Sequence, residues 1–298
     1  MANLRDIRRR IKSVKSTSQI TKAMQLVAAA KMKKAQNQAL AGRDYADELN
    51  KVLANLKANV DEGAHPLLEK REGGKKLMLV ISTDKGLCGG LNTNLLKKVR
   101  QESDENTHFV TVGRKLRTAL AKTGETLIAD WQISDPIKFS EARPIAKLLT
   151  DKFLSGEYDS VCVAFTNFVT TLRQDPWVTQ ILTIESDTLA EKRAYEGVGK
   201  NMIEETDQEG ALASDYIFEP SPEGVLDTLL PLYINFQIYQ MLVESVASEH
   251  SARMVAMKSA TDNAEQMVKD LTLEYNKARQ AAITSELLEI TTAQKAME

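Results

Sequence analysis

The sequence predicts an α/β domain inserted between two long helices that pair as an antiparallel two-helix coiled coil. Three observations predict it. A largely apolar stripe recurs at alternating steps of three and four from Leu4 through Ile7, Ile11, Val14, Ser18, Thr21, Gln25, Ala28, Met32, Ala35, Ala39, Gly42, Ala46, Leu49 and Leu53 to Leu56. The same alternation runs from Leu229 through Tyr233, Phe236, Gln240, Val243, Ala247, His250, Met254, Met257, Thr261, Ala264, Val268, Leu271, Tyr275 and Ala278 to Ala282. Such spacing marks a helical seam that needs a partner, and each helix supplies the other's. Between them, short runs rich in Val, Ile and Leu alternate with helical segments, which is the pattern of an open α/β sheet.

The N-terminal helix is expected over residues 1–60. No proline interrupts Leu4 to Val60, and Ala28, Ala29 and Ala30 add helix propensity. Gly63 and Pro66 stop it. The α/β domain is expected over 75–215. Its strands are Lys76–Thr83, Thr107–Val112, Thr126–Trp131, Ser160–Asn167 and Val178–Ile184. Asp175 and Pro176 mark a turn before the last strand, and the last two strands, with no helix between them, form an antiparallel edge pair. Helices are expected after the glycine-rich turn at Gly89–Gly90, over Arg114–Thr123 and over Ile145–Leu154. The polar segment 190–213, with Gly197, Gly199 and Gly210, reads as mobile. The C-terminal helix is expected over 222–296, with Pro231 bending its first turns.

Composition narrows the function classes. Hydrophobic residues make up 43% of 298 positions, enough for a real core, and aromatics 5%. Net charge is −2, yet between Arg5 and Lys34 the basic residues face only Asp6 as an acid, which predicts an acidic partner near that helix. Two cysteines, Cys88 and Cys162, show neither a CxxC pair nor metal-ligand spacing, so a reduced intracellular compartment is the simplest reading. No run is long and apolar enough to span a bilayer, and the basic N-terminus lacks the apolar core of a secretory signal.

No catalytic constellation emerges. Asp84-Lys85-Gly86-Leu87-Cys88-Gly89-Gly90-Leu91-Asn92 sits where a phosphate-binding turn would. It is neither GxGxxG nor GxxxxGK[ST], and it reads more simply as a tight strand-to-helix turn. His65, His108 and His250 are scattered, and His250, on the seam itself, reads as packed or capped. The N-terminal seam turns polar at Ser18, Thr21 and Gln25, where a second stripe of Ile20, Met24 and Val27 appears on a rotated face. That change points to surroundings beyond the partner helix, such as an enclosing protein.

Four segments carry a resemblance: Ile20 to Met24 with Val27 to Met32; Ser82 to Asn92; Ser251 to Lys258 with Ala260 to Asn263; and Tyr275 to Gln280 with Ile283 to Ile290. In this order they resemble the gamma subunit of the F-type ATP synthase, its central rotor shaft. The tail from Thr291 departs from the family's Gly-Ala-rich end, and the paired-cysteine insertion of chloroplast members is missing.

The resemblance implies an antiparallel coiled coil with an inserted, Rossmann-like α/β domain, present in one copy per complex. Its implied partners are the alpha and beta subunits of the catalytic ring, the epsilon subunit and the membrane rotor ring of c subunits. It implies beta-subunit contacts at Met24, Lys85, Cys88, Arg279 and Gln280, and rotor-ring contacts at Tyr216, Phe218 and Glu219. It implies no cofactor, no catalytic residue and no nucleic acid. It places the chain as a peripheral membrane protein on the cytoplasmic face of a bacterial inner membrane. A nucleotide-binding enzyme built on the middle segment and a nucleic-acid binder built on the basic helix are the competing readings. The first lacks a phosphate-loop lysine, and in the second the basic residues share a helix whose seam already needs a partner.

Overall fold

The computed structural model describes residues 4–58, 65–69, 71, 73–184 and 221–297. Segment 190–213 therefore lies outside the described residues. The chain groups into two units, Met1–Ala28 with Met254–Glu298, and Ala29–Arg253. Each long helix contributes to both.

The elements are α1 (Leu4–Ala58), β1 (Lys76–Ile81), α2 (Leu91–Glu102), β2 (Thr107–Val112), α3 (Arg114–Lys122), β3 (Leu127–Trp131), α4 (Phe139–Leu154), β4 (Ser160–Phe168), β5 (Gln174–Leu182) and α5 (Pro222–Met297). In the Ala29–Arg253 unit the strands form one sheet in the order β3-β2-β1-β4-β5. The β1–β2, β1–β4 and β2–β3 pairs are parallel, whereas β4 and β5 pair antiparallel at the edge, as the sequence predicts.

Both faces of the sheet are buried, which is why its central strands read as continuous apolar runs. Met78 and Val80 of β1 pack with Phe109, Ala164 and the α2 and α3 residues Leu95, Val99, Leu116 and Leu120. The alternate residues Leu77, Leu79 and Ile81 face the other way. They share a core with Ile145, Leu149 and Phe153 of α4, with Leu49 and Leu53 of α1, and with Leu226, Leu230, Ile234 and Leu242 of α5. Within this unit, then, the long helices form one layer of the domain itself.

The two helices run antiparallel here. Ala35 packs near Ala247, the Ala39 carbonyl accepts from Gln240 Nε2 at 3.4 Å, and the Tyr45 and Phe236 rings lie 5.0 Å apart. Residue numbers rise along α1 as they fall along α5. Further along α5, Ser248 Oγ donates to the Thr166 carbonyl at 3.0 Å and Ser251 Oγ to the Thr171 carbonyl at 2.7 Å. These bonds fasten α5 to the β4–β5 hairpin.

Two boundaries differ from the sequence expectation by more than two residues, the starts of β5 and α4, and proline explains both. Pro176 lies inside β5, and the turn is instead at Thr170–Arg173, where each residue's N–H reaches the other's carbonyl. β5 is an edge strand, where a missing donor is tolerated. Helix α4 begins at Phe139, ahead of Pro144, because Glu141 accepts from the Lys138 N–H at 3.0 Å and from Ser134 Oγ at 2.8 Å, closing its first turn. At the start of α5, Ser221 Oγ accepts from the Gly224 N–H at 3.2 Å, and Pro222 occupies the first helical position.

In the other unit, residues 4–28 of α1 pair with α5 from Met254. The predicted stripe is the less exposed one: Ile7, Thr21, Ala28, Met257, Thr261 and Ala264 are buried. The polar stretch of the seam has a direct reason, since Thr21 Oγ1 and Thr261 Oγ1 meet across it at 2.7 Å. Each hydroxyl also approaches a carbonyl of its own helix, Ser18 O at 3.0 Å and Met257 O at 2.8 Å. Cysteines at positions 21 and 261, introduced as Thr21→Cys and Thr261→Cys, are therefore expected to join within a single chain on mild oxidation, read by non-reducing electrophoresis. Exclusively intermolecular product would contradict the pairing. The native thiols Cys88 and Cys162 are buried and do not compete.

Candidate functional site

The predicted contact residues fall in three places. Met24 is half-buried on α1, flanked on its face by exposed Ile20 and Val27, each at 58% of full exposure. Arg279 and Gln280 are exposed neighbours on α5, and from Ile283 to Met297 every residue of that helix is exposed, Leu287, Leu288 and Ile290 among them. Lys85 and Cys88 lie together in the glycine-rich turn between β1 and α2. Tyr216, Phe218 and Glu219 lie outside the described residues.

The turn is built from inside. Thr83 Oγ1 donates to the Lys85 carbonyl at 2.7 Å, and Asn92 Nδ2, from the first turn of α2, donates to Thr83 Oγ1 at 2.8 Å. Asn92 Oδ1 accepts the Thr83 N–H at 3.3 Å, and its Nδ2 also faces Cys88 Sγ at 3.4 Å. Asp84 accepts the Arg114 N–H at 3.1 Å, tying the turn to α3. These bonds force the chain through the left-handed region twice, at Leu87 with φ 64° and at Gly89 with φ 61°. For leucine that conformation is unfavourable, and it places the side chain outward at 61% exposure. Cys88 points inward at 2% exposure. Burial pushes its thiol up, against the Thr83 hydrogen bond that lowers it, so it stays protonated at neutral pH.

A second layer holds the turn from behind. Arg253 on α5 donates to the Gly86 carbonyl from Nε at 3.4 Å and from Nη2 at 3.3 Å, with the Lys85 carbonyl at 3.5 Å. Its guanidinium also pairs with Glu249 and faces His250 Nδ1 at 3.4 Å. His250 Nε2 lies 3.1 Å from Asp135 Oδ2, which also accepts from Lys31 Nζ of α1 at 2.7 Å. Burial pushes the Asp135 carboxyl up, but the hydrogen bonds from Lys31 and His250 and the Lys31 charge hold it below the ordinary value. Burial pushes the Glu249 carboxyl up, against the lowering effect of Arg253.

The sequence expectation named Lys85 but not Leu87, and left Arg253, Asp135 and Lys31 without roles. The Glu249–Arg253 spacing of four was legible on a helix. Asp135 was not, because only folding of the β3–α4 connection brings it to His250. Among the described residues, no group of three His, Cys, Asp or Glu side chains could hold a metal, and no helix is long and apolar enough to cross a membrane.

Comparison with known proteins extends over the same features. A family model described as ATP synthase matches residues 3–297. The chain is 51% identical to the ATP synthase gamma chain of Akkermansia muciniphila, covering 100% of both chains. It is 48% identical to that of Opitutus terrae, over 99% of this chain and 98% of the relative. Among solved structures, a chain of the mitochondrial ATP synthase of Euglena gracilis in rotational state 3 matches with a TM-score of 0.67 at 18% identity, covering 99% of this chain and 94% of that one. A chain of the central stalk and c-ring of the Tetrahymena thermophila mitochondrial enzyme matches with a TM-score of 0.59 at 23% identity, covering 81% and 99%. At those identities the two structures speak for the fold.

Proposed function

The chain belongs to the ATP synthase gamma chain family, and from that premise we propose that it is the central-stalk rotor subunit, a non-catalytic shaft that couples proton translocation to ATP synthesis and hydrolysis. The observation that carries this reading is the end-to-end similarity to gamma chains, at 51% identity to the Akkermansia relative, spanning both long helices and the inserted domain. The helix lengths suit the role: α5 has 76 residues, about 114 Å at 1.5 Å per residue.

In this reading the coiled coil stands inside the ring of alpha and beta subunits. The α/β domain sits by the epsilon subunit and the membrane rotor ring of c subunits. One copy serves each complex, on the cytoplasmic face of a bacterial inner membrane. Met24, Lys85, Arg279 and Gln280 meet the beta subunits, and Tyr216, Phe218 and Glu219 meet the rotor ring. Since the Cys88 thiol is buried, contact through the glycine turn uses Lys85 and Leu87, with Cys88 as their inward anchor. The exposed apolar stripe of Ile20 and Val27 and the exposed α5 tip supply surface for an enclosing ring.

The mechanism is differential contact. A shaft whose faces differ presents each beta subunit with a different surface as it turns. Contacts that favour one beta conformation over another shift that subunit's population and so its affinity for nucleotide. The chemistry stays in the catalytic ring.

The deciding experiment purifies the complex through a tagged beta subunit. One copy of this chain per three beta subunits is expected, together with ATP-driven proton pumping that disappears when the chain is omitted from reassembly. Pumping without the chain would overturn the reading. The Thr21→Cys/Thr261→Cys disulfide serves as an internal control: both helices turn together in a rotor, so oxidation should leave ATP hydrolysis unchanged.

A further inference from the structure

We propose that His250, in its neutral form, is a positioning residue that aims Arg253 at the Lys85 and Gly86 carbonyls and so makes the hold on the glycine turn dependent on pH. The inference rests on the preceding reading only where it concerns coupling; the geometry of the hold stands without it.

Hydrogen-bonding capacity fixes the tautomer. A guanidinium can only donate, so Nδ1 of His250, 3.4 Å from Arg253 Nη1, is the acceptor. Nε2 then carries the proton and donates to Asp135 Oδ2 at 3.1 Å. Asp135 is itself fixed by Lys31 of α1. The imidazole is thus held at one end by a carboxylate and holds a guanidinium with the other. From there Arg253 reaches the two carbonyls behind Leu87. The relay links α1, the β3–α4 connection, α5 and the turn, all within the Ala29–Arg253 unit.

A second proton on His250 would sit on Nδ1 and point at the guanidinium. The lost acceptor and the like charge both push Arg253 away. The charged groups acting on the ring are Asp135 on the β3–α4 connection, Lys31 on α1 and Arg253 on α5; behind them Glu249 pairs with Arg253, Asp84 in the turn acts on Glu249, and Lys34 lines a small cavity with Asp135. At 5% exposure the ring is also cut off from water. Burial lowers the His250 pKa from the ordinary 6.5; Asp135 opposes this, and Arg253 and Lys31 add to it. Because the folded value is depressed, the hold is complete above the ordinary pKa and is lost as pH falls through the lowered one.

Glutamine separates positioning from titration. Its amide can donate to Asp135 and accept from Arg253, but it takes up no proton. Hydrogen–deuterium exchange of the full chain, corrected for the intrinsic rate at each pH, reads the amides of residues 84–92. In the parent, exchange there is expected to rise about fivefold or more between pH ~7.5 and pH ~5. His250→Gln should match the parent at neutral pH and stay flat on acidification, whereas His250→Leu should be faster throughout. An acid-dependent rise that survives in His250→Gln would overturn the proposal, as would a turn in His250→Leu as protected as the parent's at neutral pH. Should His250→Leu fail to fold, the comparison of parent with His250→Gln still decides. The reassembled complex separates this from the function reading. A turn that loosens with acid while the protons moved per ATP stay constant would overturn the turn as a partner contact, with the relay itself intact.

Discussion

Replacing Gly113 with alanine is expected to destabilise the sheet-bearing unit by about 3 kcal/mol or more. Gly113 joins β2 to α3 at φ 91°, where an L side chain is strained. A Cβ built there would lie 2.2 Å from the Ser82 carbonyl oxygen and 2.7 Å from its carbon. Ser82 cannot give way cheaply. Its N–H donates to the Val112 carbonyl at 2.8 Å, and its hydroxyl caps α3 by accepting the Leu116 N–H at 3.2 Å. Gly113 N also donates to the Trp131 carbonyl at 3.0 Å, so displacement propagates to β3. Gly124 is the control, with φ 81° but nothing within 4 Å of a built Cβ. Gly124→Ala should carry only the backbone cost, about 1 kcal/mol. The two tryptophans of the chain, Trp131 and Trp177, both lie in the sheet. Their fluorescence in a denaturant titration therefore reports on this unit. Equal midpoints for the two variants would show that the approach to Ser82 is not limiting.

Introducing aspartates through Ile20→Asp and Val27→Asp is expected to weaken the chain's association with the catalytic ring by at least about 3 kcal/mol, roughly a hundredfold. Both side chains are 58% exposed in the free chain. Their replacement should leave its own helicity and melting within about 0.5 kcal/mol of the parent. Under the proposed function, the same face lies against the ring in the assembled complex. There each substitution exchanges favourable apolar burial for a carboxylate stripped of water. The basic side chains nearby, such as Lys22, are exposed and offer only screened compensation. Affinity measured by competition with the parent chain during reassembly, beside ATP-driven pumping, reads the effect. Parent-like affinity and pumping would remove this stripe from the contact surface.

Much of this fold was legible because its signals are periodic. The seam positions predicted from steps of three and four include buried Ile7, Thr21, Ala28, Ala35, Leu53, Val243, Ala247, Met257 and Ala264, since a helix with one apolar stripe has one way to bury it. The β1 run could be read because a strand covered on both faces has no polar alternation. Prolines misled where context overrode propensity. Pro144 hid the first turn of α4, whose start depends on Glu141 reaching back to Lys138. Pro176 with Asp175 read as a turn, although the edge position the sequence predicts for β5 is where a strand tolerates a proline. The candidate site was legible in part. The glycine turn announced itself by composition, but the inward turn of Cys88 and the outward turn of Leu87 follow from the bonds of Thr83 and Asn92. The Asp135–His250–Arg253 relay joins residues more than a hundred positions apart, and no spacing rule encodes that.

The shared core beneath the sheet has a mechanical consequence. Leu49, Leu53, Leu226, Leu230 and Ile234 belong to the same packed cluster as the strands, so within the Ala29–Arg253 unit the long helices meet the sheet across a close-packed area. A twisting load entering at the strands passes to the helices as shear through side chains at near-crystalline density, which barely deform. Elastic wind-up is then expected outside this region. Its simplest location is the stretch of α5 beyond Ala282, where among the described residues no side chain is buried.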